Sequence, residues 1–192
     1  SNEVWQGCVY IVSRRSEPGK ICKYSENDQF YFGSLSGNKE KQVRLLSLLT
    51  AAGINAFNPE NITDRIWKKF FRISTAATLT SYYNLPIGKV LDLHTDDLLA
   101  LADEFIAVAT AMGISFPPNS RDEILEGQRK MPYNSTTSMH SDFLKGTQTE
   151  LESITGYIVQ CAKDFNIEVP CYLRMYNELK TNYTNIYNNP NN

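Results

Sequence analysis

The chain has 192 residues, of which 42% are hydrophobic and 21% are charged, and its formal net charge is −2. This composition excludes global disorder, and the length suffices for one good core or two small ones. No basic cluster is longer than Arg14-Arg15 or Lys68-Lys69, which argues against a nucleic-acid binder or a polybasic membrane binder. No apolar run approaches the roughly 18 residues of a membrane helix, and no signal-peptide core is present, so we expect a cytoplasmic protein.

The cysteines form no CxxC pair and are spread along the chain at Cys8, Cys22, Cys161 and Cys171. With only His94 and His140 as histidine partners they make no credible zinc set, so we predict no metal site. We expect four free thiols in a reducing cytosol, although the sequence alone leaves a disulfide open.

The first 60 residues have an α/β character. The runs GCVYIVSRR (7–15) and DQFYFGSL (28–35) predict two strands, separated by turn residues. Segment 38–53 predicts a helix that ends at Gly53 and carries on one face Val43, Leu46, Leu49 and Ala52. A short strand over 54–58 follows. These elements are too few to close a core on their own, so residues 1–60 resemble the tail of a larger α/β domain.

Residues 61–187 predict an all-α domain. Asn61 or Thr63 caps a long helix that runs to about Asn84, and Pro86 and Gly88 mark a break after it. A strongly periodic helix then opens at Thr95-Asp96-Asp97 and ends at Gly113. The fold class is therefore mostly α, with six to seven helices preceded by a small α/β remnant.

Four more signals lie in the rest of this domain. Asn119 or Ser120 caps a helix over 121–130, and residues 136–146 predict a short helix. Thr147 and Glu150 have the spacing of a capping box before a helix over 151–165. Pro170 begins the last helix, and residues 188–192 are expected to be a disordered tail.

Two adjacent lysines stand in the first long helix. On a helical wheel, Lys68 lies on the side of Asp64 and Arg72 and can pair with Asp64 in water. Lys69 lies at the flank of the apolar stripe that includes Ile66, Phe70, Ile73 and Ala77. Either Lys69 extends its ammonium to water past that stripe, or it is a cleft lysine that meets a ligand anion or donates a proton.

These residues resemble a known family. The matching motifs are Ile66-Trp67-Lys68-Lys69, Pro86-x-Gly88, Thr137-Ser138-Met139-x-x-Asp142, Gly146, Thr149-Glu150-x-x-x-Ile154-x-Gly156 and Val169-Pro170. Together they are similar to the C-terminal domain of the ketopantoate reductase (2-dehydropantoate 2-reductase) family, a fold of the 6-phosphogluconate dehydrogenase C-terminal type. Residues 7–58 resemble the end of that family's nucleotide-binding domain, so the resemblance covers nearly the whole chain.

The resemblance implies an NADPH-dependent reduction of a 2-oxo acid to a 2-hydroxy acid. It implies that Lys69 is the catalytic lysine, which protonates the carbonyl oxygen, and that Glu150 binds the substrate hydroxyl and helps to position the lysine. It also implies that Ser138 contacts the substrate carboxylate. The alternatives are purely structural roles, a helix cap for Glu150 and a local backbone cap for Ser138.

Two departures from the family pattern stand out. At three positions where the family's reductases carry substrate-binding asparagines, this chain has Ile73, Ala77 and Ile87. Asn84 and Asn134 lie nearby in sequence as candidate replacements, and Asn134 is the candidate substrate-binding residue. A bulkier or more apolar substrate than ketopantoate is one consequence.

The second departure is that no G-x-G-x-x-G follows a strand, because Gly33-x-x-x-Gly37 has the wrong spacing. We therefore expect the chain alone to bind NADPH poorly and not to turn over. The partners expected are a small 2-oxo acid and, as the family allows, a second copy in a homodimer. The alternative function is a non-catalytic helical interaction module that kept the fold and lost the chemistry.

Overall fold

The computed structural model describes residues 4–24, 26, 28–34 and 37–188, and of Arg14 and residues 183–188 it describes the backbone alone. The chain divides into two compact units, residues 1–69 and 70–192. The predicted domain boundary after residue 60 lies just before a helix that begins in the first unit and continues into the second. Most of the predicted tail, residues 189–192, lies outside the described residues.

A three-stranded sheet forms the centre of the first unit. Strand β1 (Gln6–Tyr10) pairs antiparallel with β4 (Gln29–Gly33), which also pairs parallel with the two-residue strand β5 (Ala56–Phe57). Helix α1 (Lys39–Ala51) provides the crossover between the two parallel strands. The predicted short strand and the predicted helix are thus confirmed, together with the α/β character of this part.

The prediction of one strand over residues 7–15 is wrong. After β1 the chain leaves the first sheet, and β2 (Ser13–Glu17) pairs with a strand that the sequence analysis missed, β3 (Lys20–Lys23). The physical reason is the turn between them, because Gly19 has a φ of +79°, which closes a local hairpin. Ile11 and Val12, at the crossing between the sheets, are exposed.

Helix α1 buries a face that only partly overlaps the one its apolar residues suggest, in which Leu46 and Leu49 are half-buried. Val43 is 60% exposed, whereas the neighbouring Gln42 is buried. The Gln42 amide donates to the Ser34 carbonyl at 3.2 Å and accepts from the Asn58 amide at 2.9 Å, and Asn58 also donates to the Phe32 carbonyl. A polar residue is tolerated inside because its amide has hydrogen-bond partners.

The second unit is made of helices. Among the described residues there are seven, if α2, which begins in the first unit, is included. They are α2 (Ile62–Tyr83), α3 (Ile87–Leu93), α4 (Thr95–Ala111), α5 (Ser120–Arg129), α6 (Ser138–Lys145), α7 (Leu151–Asp164) and α8 (Pro170–Asn188). Helix α4 contacts α3, α5, α7 and α8, so it lies at the centre of the domain. The predicted mostly α fold with six to seven helices is confirmed.

The helix ends follow the predicted signals in most places. The Asn61 side chain accepts the Thr63 N–H at 3.0 Å and caps α2, and Gly113 follows the end of α4 with a φ of +80°. Helix α3 was not predicted, because Pro86 and Gly88 were taken only as a break. In the structure Pro86 occupies the N-cap position of α3, where its missing N–H costs nothing.

The C-terminal half of α2 is buried on every side. Residues 74–80 are all at most 4% exposed, and four of them carry hydroxyl groups. Each hydroxyl is paired: Ser74 with the Tyr172 hydroxyl, Thr75 with the Phe71 carbonyl, Thr78 with Thr155, and Thr80 with Thr137. The predicted apolar stripe is wrong at Ile73, which is 39% exposed.

Among the described helices none combines the length and the hydropathy that a bilayer-spanning segment needs. All four cysteines are free thiols, with Cys161 and Cys171 buried.

Candidate functional site

Lys69, the last residue of the first unit, does not extend into water. It is half-buried, and its ammonium donates a hydrogen bond to the Val9 carbonyl at 2.5 Å. The same nitrogen lies 5.6 Å from the centroid of the Tyr10 ring. A hydrogen bond and a ring contact thus hold the charge against strand β1. Lys68 is half-buried as well, and its pairing with Asp64 stays a prediction.

A second cation repeats this arrangement one turn earlier on α2. The Arg65 guanidinium lies 5.1 Å from the centroid of the Tyr31 ring, and Tyr31 meets Tyr10 edge-on at 5.7 Å. Both cations act on the Cys8 thiol, whose pKa burial raises while the charges of Lys69 and Arg65 oppose that rise. The N-terminal turns of α2 therefore place two positive charges over the aromatic side chains of the sheet.

Glu150, in the second unit, is not part of a capping box. It occupies the N-cap position of α7 rather than the third position, and its side chain makes no cap hydrogen bond. The Thr149 hydroxyl accepts the Leu151 N–H at 3.3 Å instead, while Thr147 bonds to Asp142. In the described part of the second unit, no hydrogen bond or ion pair uses the exposed Glu150 carboxylate. It is therefore available to a ligand.

Ser138 is also free of the capping role that was its alternative. The cap of α6 is Thr137, whose hydroxyl accepts the His140 N–H at 3.3 Å, and Ser138 is the first residue of the helix proper. Asn134 lies four residues earlier, in the loop that precedes α6. Both side chains are exposed, and no hydrogen bond within the described part of their unit uses them. Asn134 and Ser138 thus lie four residues apart on one short segment.

The three positions that depart from the family pattern have different environments. Ala77 belongs to a buried cluster with Met139, Leu151, Ile154 and Leu179. Ile87 is 1% exposed and Ile73 is partly exposed. Positions 77 and 87 therefore contribute to the core. Asn84 does not replace a lost asparagine as a free group, because its side-chain oxygen is bonded to His140 at 2.8 Å.

Sequence reasoning missed the role of His140, which it weighed only as a metal ligand. Its ring is buried and bonded on both sides, to Asn84 and to the hydroxyl of Thr136. Burial lowers the pKa of this imidazole. The signal was present in Thr136-Thr137 immediately before a short helix, where hydroxyl side chains favour caps and local hydrogen bonds.

The N-terminus of α1 does not offer a cradle for the pyrophosphate of a dinucleotide. The N-terminus of α1, which follows β4, is closed by Asn38, whose side chain accepts the N–H groups of Glu40 and Lys41 at 2.8 and 3.2 Å. Glu40 adds a negative charge to the first turn. A Cβ at Gly33 would lie 3.1 Å from the Ile62 Cβ, so this glycine serves the packing of α2. A phosphate needs free N–H groups and no carboxylate, so NADPH does not fit here.

Comparison with known families gives a match over residues 61–183 to the model described as "Ketopantoate reductase PanE/ApbA C terminal". This range contains Lys69, Asn134, Ser138 and Glu150. It begins at the residue that caps α2 and ends within α8.

Individual proteins agree with this match. The 2-dehydropantoate 2-reductase of Pyrococcus abyssi is 32% identical over 177 residues, which are 85% of this chain and 55% of that protein. The crystal structure of 2-dehydropantoate 2-reductase from Porphyromonas gingivalis W83 matches with a TM-score of 0.77 and 40% identity, over 92% of this chain and 55% of that one. The chain thus spans little more than half the length of these proteins.

A third protein shares the fold at low identity. D-mandelate dehydrogenase, solved in a ternary structure with NADH and anilino(oxo)acetate, matches with a TM-score of 0.82 and 19% identity. The match covers 95% of this chain and 60% of that chain.

Proposed function

Because the chain belongs to the ketopantoate reductase family, we propose that it is the helical substrate domain, with the adjoining end of the nucleotide-binding domain, of an NADPH-dependent 2-oxo-acid reductase. The observation that carries the proposal is the state of Glu150 and Ser138. Both have exposed side chains that take no part in the helix caps, so capping does not explain their presence in the family's motif.

Lys69 has the chemistry for the proton that such a reduction requires. An ammonium has three N–H groups, and the Val9 carbonyl takes one of them. The others can polarise a ketone oxygen and then supply the proton that turns this oxygen into a hydroxyl. The contacts with Val9 and Tyr10 hold the ammonium in one place, which lowers the cost of orienting it.

The second unit supplies the groups that recognise the acid. The Ser138 hydroxyl and the Asn134 amide donate hydrogen bonds to a substrate carboxylate, and Glu150 accepts one from the hydroxyl of the product. Hydrogen bonds to charged groups are worth about 1.5–3 kcal/mol, enough to make the carboxylate the main point of recognition.

The apolar residues favour a substrate with a larger apolar side chain than that of ketopantoate. Ala77 and Ile87 are buried in the core and offer no polar group, so of the three positions Ile73, which is 39% exposed, is the one that can present an apolar surface to a substrate. A substrate hydroxyl left unpaired beside such residues costs roughly 1–3 kcal/mol. Ketopantoate is therefore the reference substrate, and 2-oxo acids with branched or aromatic side chains are the ones to compare with it.

Four further expectations complete the proposal. NADPH is the reductant, bound outside the residues described here. The chain alone does not turn over. The complete protein is a cytoplasmic enzyme that forms a homodimer. Sedimentation at micromolar concentration tests the dimer directly.

The decisive experiment compares two neighbouring lysines in the complete protein. We expect Lys69→Ala to lower the rate of 2-oxo-acid reduction by about 100-fold or more, the usual effect of removing a general acid. Lys68→Ala is the matched control, since it removes the same charge one position away and should retain turnover. The decrease in NADPH absorbance measures both.

Circular dichroism should show an unchanged helix content in each variant. Equal turnover of Lys69→Ala and the wild type would contradict the proposed role of Lys69, whereas absence of turnover in the wild-type protein would favour the non-catalytic interaction module.

A further inference from the structure

His140 has a hydrogen bond on each side of its ring. Its Nε2 lies 2.8 Å from the Asn84 Oδ1, and its Nδ1 is bonded to the Thr136 hydroxyl. An amide oxygen only accepts, so this network assigns the proton to Nε2 and leaves Nδ1 to accept from Thr136. The ring is 5% exposed and both of its hydrogen-bond partners are neutral, which agrees with a neutral imidazole. His140 thus joins the end of α2 to the loop before α6.

Asn84 is shaped for this contact. It follows the last residue of α2 with a φ of +52°, in the left-handed region that asparagine tolerates better than most residues. This backbone conformation ends the helix and places the side-chain amide within reach of His140. The pairing therefore lies at a fixed corner of the fold, between α2 and α3.

The loop of residues 130–137, called here the α5–α6 loop, is attached to the same corner through its backbone. The Ile87 N–H donates to the Ser135 carbonyl and the Gly88 N–H to the Tyr133 carbonyl, both at 2.9 Å. Any Cβ at Gly88 would lie 2.2 Å from the Tyr133 ring, so only glycine allows this approach. These two N–H groups belong to the first turn of α3, where they have no partner within the helix.

A third attachment comes from Thr137. Its hydroxyl accepts the His140 N–H and lies 2.9 Å from the Thr80 hydroxyl, which is buried in the middle of the helical domain. The α5–α6 loop and the start of α6 are thus bonded to α2 at two points, Thr80 and Asn84. The exposed side chains of Asn134 and Ser138 lie on this same segment.

We propose that His140 is a positioning residue, which holds the α5–α6 loop so that Asn134 and Ser138 present a fixed pair of donors to the substrate carboxylate. This role rests on the proposed function for the identity of the ligand. The hold on the loop itself rests on hydrogen bonds alone. The two partners of the ring lie at the corner after α2 and in the loop itself, so the imidazole links the loop to that corner.

The first test measures the hold on the loop in this 192-residue chain, without any activity. Asn84→Gly removes the acceptor of the His140 Nε2–H and keeps the positive φ. Thr136→Val removes the donor to Nδ1, and Thr136→Ser restores it. The readout is hydrogen exchange at the amides of Ile87 and Gly88, which donate to the loop.

We expect both disruptive variants to speed this exchange severalfold, up to about tenfold for a bond of ordinary strength, and Thr136→Ser to return it to the wild-type rate. Asn166→Gly is the matched control, because Asn166 also has a positive φ after a helix and is exposed. If exchange is the same in Asn84→Gly and Asn166→Gly, the positioning role of His140 is overturned.

The second test measures substrate recognition in the complete protein. Positioning of a carboxylate-binding pair predicts that Asn84→Gly and Thr136→Val raise KM for the 2-oxo acid severalfold and leave kcat within about twofold, since the proton donor is untouched. Thr136→Ser and Asn166→Gly should keep both constants.

The two tests separate the claims. Faster exchange with an unchanged KM would overturn the assignment of Asn134 and Ser138 to the substrate, while the hold on the loop would stand. Absence of 2-oxo-acid reduction in the wild-type protein would overturn the proposed function. The hydrogen-exchange experiment would then still test whether His140 holds the α5–α6 loop.

Discussion

The two halves of α2 differ in their exposure and in how their polar groups are paired. The first half, up to Lys69, is partly exposed and holds two cations over tyrosine rings, Arg65 over Tyr31 and Lys69 over Tyr10. The second half, residues 74–80, is buried on all sides and pairs every hydroxyl with a partner. One helix thus combines a charged surface segment and a polar core segment.

The difference separates two tasks of the proposed enzyme. Lys69 is held by one hydrogen bond and one ring contact at a half-buried position, so its ammonium keeps donors for a ligand. Residues 74–80 offer no free hydroxyl to a ligand, because Ser74, Thr78 and Thr80 are bonded to Tyr172, Thr155 and Thr137. The next residue, Ser81, has a buried hydroxyl without a partner among the described residues. The work of the second half of α2 is to fix the helices that carry Ser138 and Glu150.

The largest expected effect comes from cutting into the buried half. Leu79 is 0% exposed, and Leu79→Ala should lower the free energy of unfolding of the chain by about 2–5 kcal/mol, because it leaves a cavity. Ile73→Ala removes the same number of carbon atoms at a site that is 39% exposed and should cost about 1 kcal/mol or less. Urea titration followed by circular dichroism compares the two.

If instead Ile73 lay on the main apolar face, as the helical wheel predicts, the two costs would be similar. That result would contradict the exposure of Ile73 and the contrast between the two positions.

The second prediction concerns the paired hydroxyls. Thr78 and Thr155 lie 2.8 Å apart and both are 0% exposed. Replacing either with valine should cost roughly 1–3 kcal/mol, since the other hydroxyl is left buried without its partner. The double variant should cost less than the sum, because neither unpaired group remains. Additive costs in the same urea titrations would show that the two hydroxyls are not coupled.

The sequence predicted the fold well where a pattern was consistent with only one secondary structure. Helix α4 follows its periodic apolar residues from Leu98 to Ala109, and Asn61 and Gly113 mark helix ends as expected. The wheel failed on α2 because a helix buried all round has no single apolar stripe, and paired serines and threonines look polar in sequence. The hairpin β2–β3 was missed because its short strands are mostly polar.

The candidate site was predictable only in its residue types. The motif indicated Lys69, Ser138 and Glu150, and local spacing suggested caps for the last two. A shift of one or two residues at a helix start decides which residue is the cap. Here Thr137 and Thr149, rather than Ser138 and Glu150, accept the hydrogen bonds at the helix starts. The contact between His140 and Asn84 joins residues 56 positions apart, and no local pattern reports such a contact.

The third prediction tests the corner where α2 ends. Burial lowers the pKa of His140 in the folded chain below the value of about 6.5 that an unfolded histidine has. The unfolded state therefore binds the proton first, and the stability that His140 contributes is present above pH 6.5 and is lost as the pH falls below it. Unfolding titrations between pH 7.5 and 5 measure this slope.

His140→Asn should flatten the slope, whereas His94→Asn, which changes the histidine stacked on Tyr83, should keep it. The same slope in His140→Asn and the wild type would contradict the prediction.

The smallest effect on stability is expected from removing the tyrosine ring that contacts the Lys69 ammonium. Tyr10→Leu removes the ring beneath the ammonium, and such a contact at a partly exposed site is worth about 0.5–1 kcal/mol. Tyr10→Phe keeps the ring and should keep the contact. Stability alone does not isolate this term, because Tyr10 also meets Tyr31 edge-on. The direct measurement is the upfield ring-current shift of the Lys69 Cε protons, which should vanish in Tyr10→Leu and persist in Tyr10→Phe.

Tyr24→Leu is the matched control for this last experiment, since Tyr24 is 65% exposed and lies in the same unit. It should leave the Lys69 signal in place. If Tyr10→Leu also left that signal in place, the ring would not hold the ammonium. Lys69 would then depend on the Val9 carbonyl alone, and the contrast between a lightly held first half of α2 and a fully paired second half would become sharper.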